Sequence, residues 1–591
     1  MKKLVASLAL VGLLLACGRE APKPAPPSAD PSSKRSLTSG EVVGFVGTYD
    51  NHAWLGLPFA APPTGDLRWS APRPPHPWTG TREALASGSA CPQFASQIGG
   101  VEAEPGSVIG DEDCLYLNVF APRFAADAVP KEGALLPVMF WIHGGGNSIG
   151  QAGTYDGGRL ATSEQVIVIA TNYRLGPLGW LYNPALQDAD ATPLDRSGNY
   201  GTLDLVRALA WVRENAAAFG GDPERVTIFG ESAGGGNALS LLLSPLAKGL
   251  FQRAIVQSGG LGTEPIAKAR AGDPAAGPNG STGSDAIVAA LDGKPRESTP
   301  EQLLRAYPGE AMMGMLSMPT VIRDGVVLPD ADPLELIARG EYNQVPIILG
   351  TNRDETKLFI FGSPDLVKRW FGIFPVLQVS EEEYQLTAEY GSKAWKVTGV
   401  DSLATAMRKV QGPSVYAYRF DWDEEPTILF ADYGLLIGAA HGFEIPFVFG
   451  HWKLGGARGD RLFDASNEAG REALSAQMRS YWAQFAYSGD PGRGRKGELV
   501  TWSAWDDGAP EAPKYVVFDT EAGGGTRMSY ETYTKERIVD EIRGDPRLPS
   551  WEDKCRHLAG LAFFSGLYTR EDYAGESGCS EFALAGFPWR E

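Results

Sequence analysis

Gly230-Glu231-Ser232-Ala233-Gly234 places a serine between two glycines, after the apolar run Val226-Thr227-Ile228-Phe229 and before Gly235-Gly236-Asn237-Ala238-Leu239-Ser240-Leu241-Leu242. A short β-branched and aromatic strand, a tight turn and a helix-capable segment, in that order, form a nucleophile elbow that holds a serine hydroxyl clear of the backbone. Gly230 and Gly234 suit it because a Cβ at either position collides with the turn. Gly235 and Gly236 each cost about 1 kcal/mol against alanine inside a helix, and are expected to let that helix approach the sheet closely. A nucleophilic serine needs a base, an acid to orient the base and donors for the oxyanion. Six histidines are available as base, at 52, 76, 143, 441, 451 and 557. Carboxylates are plentiful, but Asp354 and Glu355 stand out. The apolar run Val345 to Leu349 ends just ahead of them, which puts them beyond the C-terminal end of a strand, where α/β folds gather their sites. Arg353 beside them favours the charged form of either. Trp141-Ile142-His143-Gly144-Gly145-Gly146 follows another apolar run. Glycines there let backbone N–H groups face a substrate with no side chain in the way.

The elements that must position these residues are legible as a pattern. Solid apolar runs at Leu135 to Ile142, Val166 to Ala170, Val226 to Phe229 and Val345 to Leu349 alternate with helical stretches. The stretch Leu203 to Phe219 is apolar nearly all round and is expected to be buried. Uniformly apolar strands alternating with helices indicate an α/β fold with a mostly parallel sheet covered on both faces. The opening residues, Val42 to Gly47 and Ala53 to Phe59, alternate and carry turn signals, as antiparallel strands do. The chain has 591 residues, 43% hydrophobic and 10% aromatic, which is ample for one large continuous body. A formal charge of −19 argues against a nucleic-acid partner, which needs clustered Lys and Arg. No ligand cluster for a metal and no cofactor motif is visible.

The N-terminus reads as an export signal. Lys2-Lys3 precedes an apolar stretch from Leu4 to Ala16, too short to span a bilayer. Leu14-Leu15-Ala16-Cys17 resembles the lipobox of bacterial lipoproteins, which implies cleavage after residue 16, a lipid on Cys17 and attachment to the cell envelope. Gly18, not Asp, follows the cysteine, which by the same resemblance favours the outer membrane. Residues 17–40 are rich in Pro, Ser and Ala and suit a tether. Besides Cys17 there are four cysteines, at 91, 114, 555 and 579, enough for two bridges in an exported chain. Three pairings are open, and Cys91 with Cys114 and Cys555 with Cys579 close the shortest loops.

Several stretches resemble the type B carboxylesterases, the family that includes the cholinesterases. Leu55 to Trp69 resembles its opening, Glu112-Asp113-Cys114-Leu115-Tyr116-Leu117-Asn118-Val119 its second signature, and Phe219-Gly220-Gly221-Asp222-Pro223 running into the elbow its first. Asn172-Tyr173-Arg174, Gly198-Asn199-Tyr200-Gly201 and Gln257-Ser258-Gly259 are similar too, in the expected order. The resemblance covers residues 41 to 540 and implies an α/β-hydrolase fold, ester hydrolysis without a cofactor and a Cys91–Cys114 disulfide. In this fold the order is serine, acid, histidine, which removes the three histidines upstream of Ser232. Ala439-Ala440-His441-Gly442-Phe443-Glu444 resembles the family's catalytic histidine segment. The family places its acid at the second position of the Asp-Glu pair, Glu355, with Asp354 the runner-up. By resemblance the oxyanion donors are Gly145, Gly146 and Ala233. Asn147 stands where the family usually has an aromatic residue, which bears on pocket shape.

The implied chemistry is acyl transfer through Ser232, Glu355 and His441, on a small-molecule ester. An amidase or lactonase uses the same residues, and a binding or adhesion relative is distinguished by a missing triad member. The family's choline-binding tryptophan lies in the first disulfide loop. Between Cys91 and Cys114 the aromatic ahead of the signature is Phe94, which argues against a choline-ester specialist. The body is expected over 41–548, with an extension over 549–591 packed on it and pinned by Cys555 and Cys579. Met312, Met313, Met315 and Met318 precede Pro319 and Asp324-Gly325, where the family's matching segment limits the acyl group. They are candidates for an adaptable acyl wall. The sequence leaves the oligomeric state open.

Overall fold

The apolar runs become neighbouring strands of one eleven-stranded mixed sheet in a computed structural model. It describes residues 26–582 except 102, 105, 189, 274–279, 309–312, 371–373, 454–455, 577 and 580–581. The signal segment, Cys17 and Met312 lie outside the described residues. The strands are β1 (Phe45–Val46), β2 (Asn51–Pro58), β3 (Tyr116–Pro122), β4 (Leu136–Ile142), β5 (Ile167–Thr171), β6 (Gly221–Glu231), β7 (Arg253–Gln257), β8 (Ile347–Asn352), β9 (Val415–Phe420), β10 (Tyr515–Phe518) and β11 (Arg527–Ser529). They lie in the order β11-β10-β9-β8-β7-β6-β4-β5-β3-β2-β1. Strands β4 to β10 run parallel. Strands β1, β2, β3 and β11 pair antiparallel at the edges. This is the α/β-hydrolase architecture.

Both faces of the sheet are covered, which is why the central strands read as unbroken apolar runs. Along β4, Val138, Phe140 and Ile142 join a core with Trp54, Trp211 and Leu241, while Met139 and Trp141 join the opposite one with Phe229, Tyr418 and Trp482. The first core is roofed by α1 (Tyr200–Asn215) and α2 (Ala233–Leu243). The expected helical stretch from Leu203 is thus α1, which ends in a 3-10 turn, Ala216–Phe219, stopped by Gly220 at φ 87°. Its Asp204 is fully buried and takes the Arg174 guanidinium at 2.7 and 2.8 Å and the Arg174 N–H at 3.0 Å.

Three more helices matter to the site: α3 (Lys357–Ile360), α4 (Glu381–Lys396) and α5 (Glu468–Ser488), the last packed on the second face. A further helix, α6 (Trp551–Ser565), lies on α4. There Leu386, Tyr390 and Ala394 meet Ile542, Cys555, Leu558 and Leu561 in a separate small core. The disulfides join Cys91 to Cys114 and Cys555 to Cys579.

The folded body starts earlier than residue 41. Arg35–Leu37 pairs antiparallel with Gly40–Val43. Ser33 Oγ accepts the Gly44 N–H at 2.8 Å, and its carbonyl accepts the Trp54 indole N–H at 2.8 Å. The last residues of the expected tether are therefore built into the body. Their Pro- and Ser-rich composition hid this because the pairing runs through the backbone and one hydroxyl. No described helix is long and apolar enough to cross a membrane.

Candidate active site

Ser232 sits between β6 and α2 at φ 56° and ψ −123°, a conformation non-glycine residues rarely hold. Such strain costs of order 1–3 kcal/mol and persists only where the surroundings over-determine it. They do so here. A Cβ on Gly234 falls 2.0 Å from the Ile142 carbonyl oxygen, and one on Gly230 falls 2.6 Å from the Gly234 backbone. A Cβ on Gly235 meets the Gln257 carbonyl at 3.0 Å, so the glycines do let α2 close on the sheet. Ser232 itself is half-buried and reachable.

The structure brings Glu355 and His441 together. Glu355 follows the C-terminal end of β8, is fully buried, and its Oε2 lies 2.6 Å from His441 Nδ1. Its other oxygen accepts the Thr351 hydroxyl at 2.8 Å and the Asn352 N–H at 2.7 Å, which locks the carboxylate. His441 Nε2 faces the elbow, 3.1 Å from Glu231 Oε1. Burial alone lowers the imidazole pKa, but Glu231 and Glu355 outweigh it and hold His441 above its usual value. Burial pushes the Glu231 carboxyl up in turn, against the pull of His441. Glu444, also buried, accepts from Gln257 at 3.0 Å and Asn352 at 2.6 Å.

Asp354 does not reach the imidazole. It takes Arg353 at 2.7 Å, lies 3.4 Å from Lys357 Nζ, and accepts the Ala439 N–H at 3.2 Å, tying the acid loop to the loop that carries His441. His451 lies 3.0 Å from the Tyr49 hydroxyl, and His557 3.6 Å from Glu383.

The glycine loop after β4 lies against the elbow: a Cβ on Gly144 falls 3.1 Å from Ser232 Cβ. Gly145, Gly146 and Asn147 follow with φ of 96°, 59° and 56°, and the Ser148 and Ile149 N–H groups both close on the Gly145 carbonyl at 3.0 Å. Successive backbone N–H groups in a tight turn make a concavity that suits an anion. Ala233 opens α2, and the first N–H groups of a helix have no intrahelical acceptor. His143 is buried and stacked on Tyr173 at 4.5 Å, and burial pushes its pKa down to about 4. It stays neutral and packs under the loop. Gln93, inside the Cys91–Cys114 loop, braces the far side by pairing with both the N–H and the carbonyl of Gly150 at 2.8 and 2.9 Å.

The Carboxylesterase family profile matches residues 31–369 and 377–537. The chain belongs to the carboxylesterase family. This esterase is 35% identical over 497 residues to the para-nitrobenzyl esterase of Bacillus subtilis (strain 168), covering 80% of this chain and 93% of that one. It is 35% identical over 515 residues to the fumonisin B1 esterase of Sphingopyxis macrogoltabida, covering 80% and 87%. Among solved structures, a PNB esterase superposes with a TM-score of 0.64 at 31% identity, over 84% of this chain and 97% of that one. Family and relatives make it a carboxylic ester hydrolase acting through a serine.

Around the esterase's site the structure adds residues that the sequence did not single out. Trp395 on α4 and Phe359 on α3 lie 4.8 and 5.4 Å from the His441 ring, centroid to centroid. Glu231 was in plain view within the elbow, and Phe359 follows Glu355 by four residues. Trp395 gives no signal, because only tertiary packing brings α4 there. The methionines divide. Met315 Sδ lies 2.8 Å from where a Gly146 Cβ would stand, whereas Met318 is half-buried against the cluster that holds Leu178 and Leu303. Met313 turns at φ 54° and its carbonyl accepts the Ser96 hydroxyl at 2.6 Å.

Proposed function

We propose that the esterase works by two-step acyl transfer with Ser232 as nucleophile, His441 as base and Glu355 as the acid that orients it. The observation that carries this is the 2.6 Å contact of Glu355 with His441 Nδ1, which leaves Nε2 turned to the elbow. As Ser232 attacks the ester carbonyl, His441 takes its proton and the negative charge moves onto the carbonyl oxygen, held by the N–H groups of Gly145, Gly146 and Ala233. Collapse expels the alcohol, which takes the proton from His441, and water then releases the acid by the same route. Met315 beside Gly146 supports an acyl pocket bounded by a flexible, unbranched side chain, and hence acyl groups longer than acetyl.

Ser232→Ala is expected to abolish burst-phase acylation and organophosphate labelling with the fold intact; stoichiometric labelling of another serine overturns the assignment. A panel of nitrophenyl esters graded by acyl length, run beside the matching amides and lactones, reads the substrate class, with esters expected to dominate.

We further propose that the mature chain begins at a lipidated Cys17 and is held at the outer membrane or periplasmic face. This reading is supported by the signal-like residues 2–16 and by two disulfides, which persist in oxidising compartments. Cys17→Ser should release the protein from membranes. An unmodified Cys17 in the mature protein, seen by mass spectrometry, removes the anchor.

A further inference from the structure

The two halves of the oxyanion hole come from different elements. Gly145 and Gly146 lie on the loop after β4, and Ala233 lies at the start of α2. Something must fix their spacing, since donors work only at about 2.7–3.1 Å from the oxygen that takes the charge, a window of a few tenths of an ångström. Asn147 stands immediately after Gly146. Its side-chain Oδ1 accepts a hydrogen bond from Asn237 Nδ2 at 2.8 Å. Both side chains are buried. Asn237 stands four residues after Ala233 on α2, so the two share one helix face. Asn147 is held at its other end too, its carbonyl accepting the Gly176 N–H at 2.7 Å. Its φ of 56° is one that asparagine tolerates and bulky side chains resist. The Asn237 Oδ1 atom is buried and has no hydrogen-bond partner among the described residues. Asn237 also interacts with the Tyr173 side chain, and its Nδ2 bond to Asn147 joins α2 to the glycine loop.

We infer that Asn147 and Asn237 are positioning residues that set the distance between the Gly145–Gly146 donors and the Ala233 donor. Neither amide touches the reacting atoms. The bond acts as a strut between the glycine loop and α2. The inference rests on the proposed roles of Gly145, Gly146 and Ala233.

The test uses Asn237→Ala, which favours the helix, and Asn147→Gly, which keeps the left-handed backbone without strain. The readouts are kcat and KM on a nitrophenyl butyrate, and the affinity for an alkyl trifluoromethyl ketone, which places an oxyanion in the hole. Each variant should lose roughly tenfold to a hundredfold in kcat, less than the 10²–10³ of a deleted donor. Ketone affinity should fall by the same factor, and KM should stay unchanged. The double variant should be no worse than either single one, as residues acting as a unit require. Unchanged kcat and ketone affinity in folded Asn237→Ala overturn the strut, as does a loss confined to KM or to melting temperature. A ketone that binds wild type and Ser232→Ala alike strikes instead at the proposed nucleophile and oxyanion site, and the strut falls with it. Additive losses in the double variant refute the pairing itself.

Discussion

His441 carries a carboxylate at each ring nitrogen, Glu355 at Nδ1 and Glu231 at Nε2. As the proposed base, His441 must be neutral to work, and these charges favour its charged form, so the imidazole needs a higher pH to lose its proton than a solvated one. The acid limb of kcat/KM should therefore lie above the ordinary histidine value of about 6.5. Glu231→Gln removes the charge at Nε2 and should move that limb to lower pH, by up to about a unit, as a pH–rate profile will report; Glu231 and His441 titrate as a unit, so the profile reads the pair. A limb that stays in place means Glu231 does not act on the base. At the same scale, Met315→Phe stiffens and enlarges the wall beside Gly146 and should shift kcat/KM towards short acyl chains by about 1–3 kcal/mol. An unchanged chain-length profile dismisses the wall. What was readable at this scale was local. Ser232 and the glycine turn announce themselves because sterics dictate their types. The choice of Glu355 over Asp354 came from family resemblance, since residue type and strand position fit both equally.

Among the elements, the strands were readable because burial on both faces leaves no polar alternation. Helix α1 was readable from its many apolar positions, although Arg213 and Glu214 lie exposed on one side of it and Asp204 is buried. That carboxylate looks out of place in an apolar stretch until Arg174, thirty residues away in sequence, is seen to satisfy both of its oxygens. Taking away one partner leaves an unpaired buried charge, so Asp204→Ala should destabilise the fold by about 3–5 kcal/mol. Urea unfolding of the variant checks this, and a loss below about 1 kcal/mol contradicts it. The start of the folded body was misjudged because backbone pairing of residues 35–37 leaves no compositional mark. Helix α4 was beyond sequence reasoning for a different reason. One of its faces meets α6, and its Trp395 faces His441. Neither neighbour is near it in the chain.

At the scale of the whole molecule, the proposed active site is backed from two directions by disulfide-closed segments. The Cys91–Cys114 loop supports the glycine turn through Gln93, and the Cys555–Cys579 segment supports α4. The second segment shares a small core with α4 and Ile542, set apart from the two large ones that flank the sheet. Closing a loop of 24 residues is worth about 3 kcal/mol in the chain-entropy picture. A unit with so few apolar neighbours depends heavily on it. The thermal behaviour of the enzyme should therefore come in two stages, with catalysis failing before the sheet does. Cys579→Ser should widen the gap, lowering the temperature of half-inactivation by several degrees while the far-ultraviolet melting of the sheet moves little. A single coincident transition in the variant contradicts this. The Cys555–Cys579 segment would then act as a thermal fuse for His441, which lies on a different element.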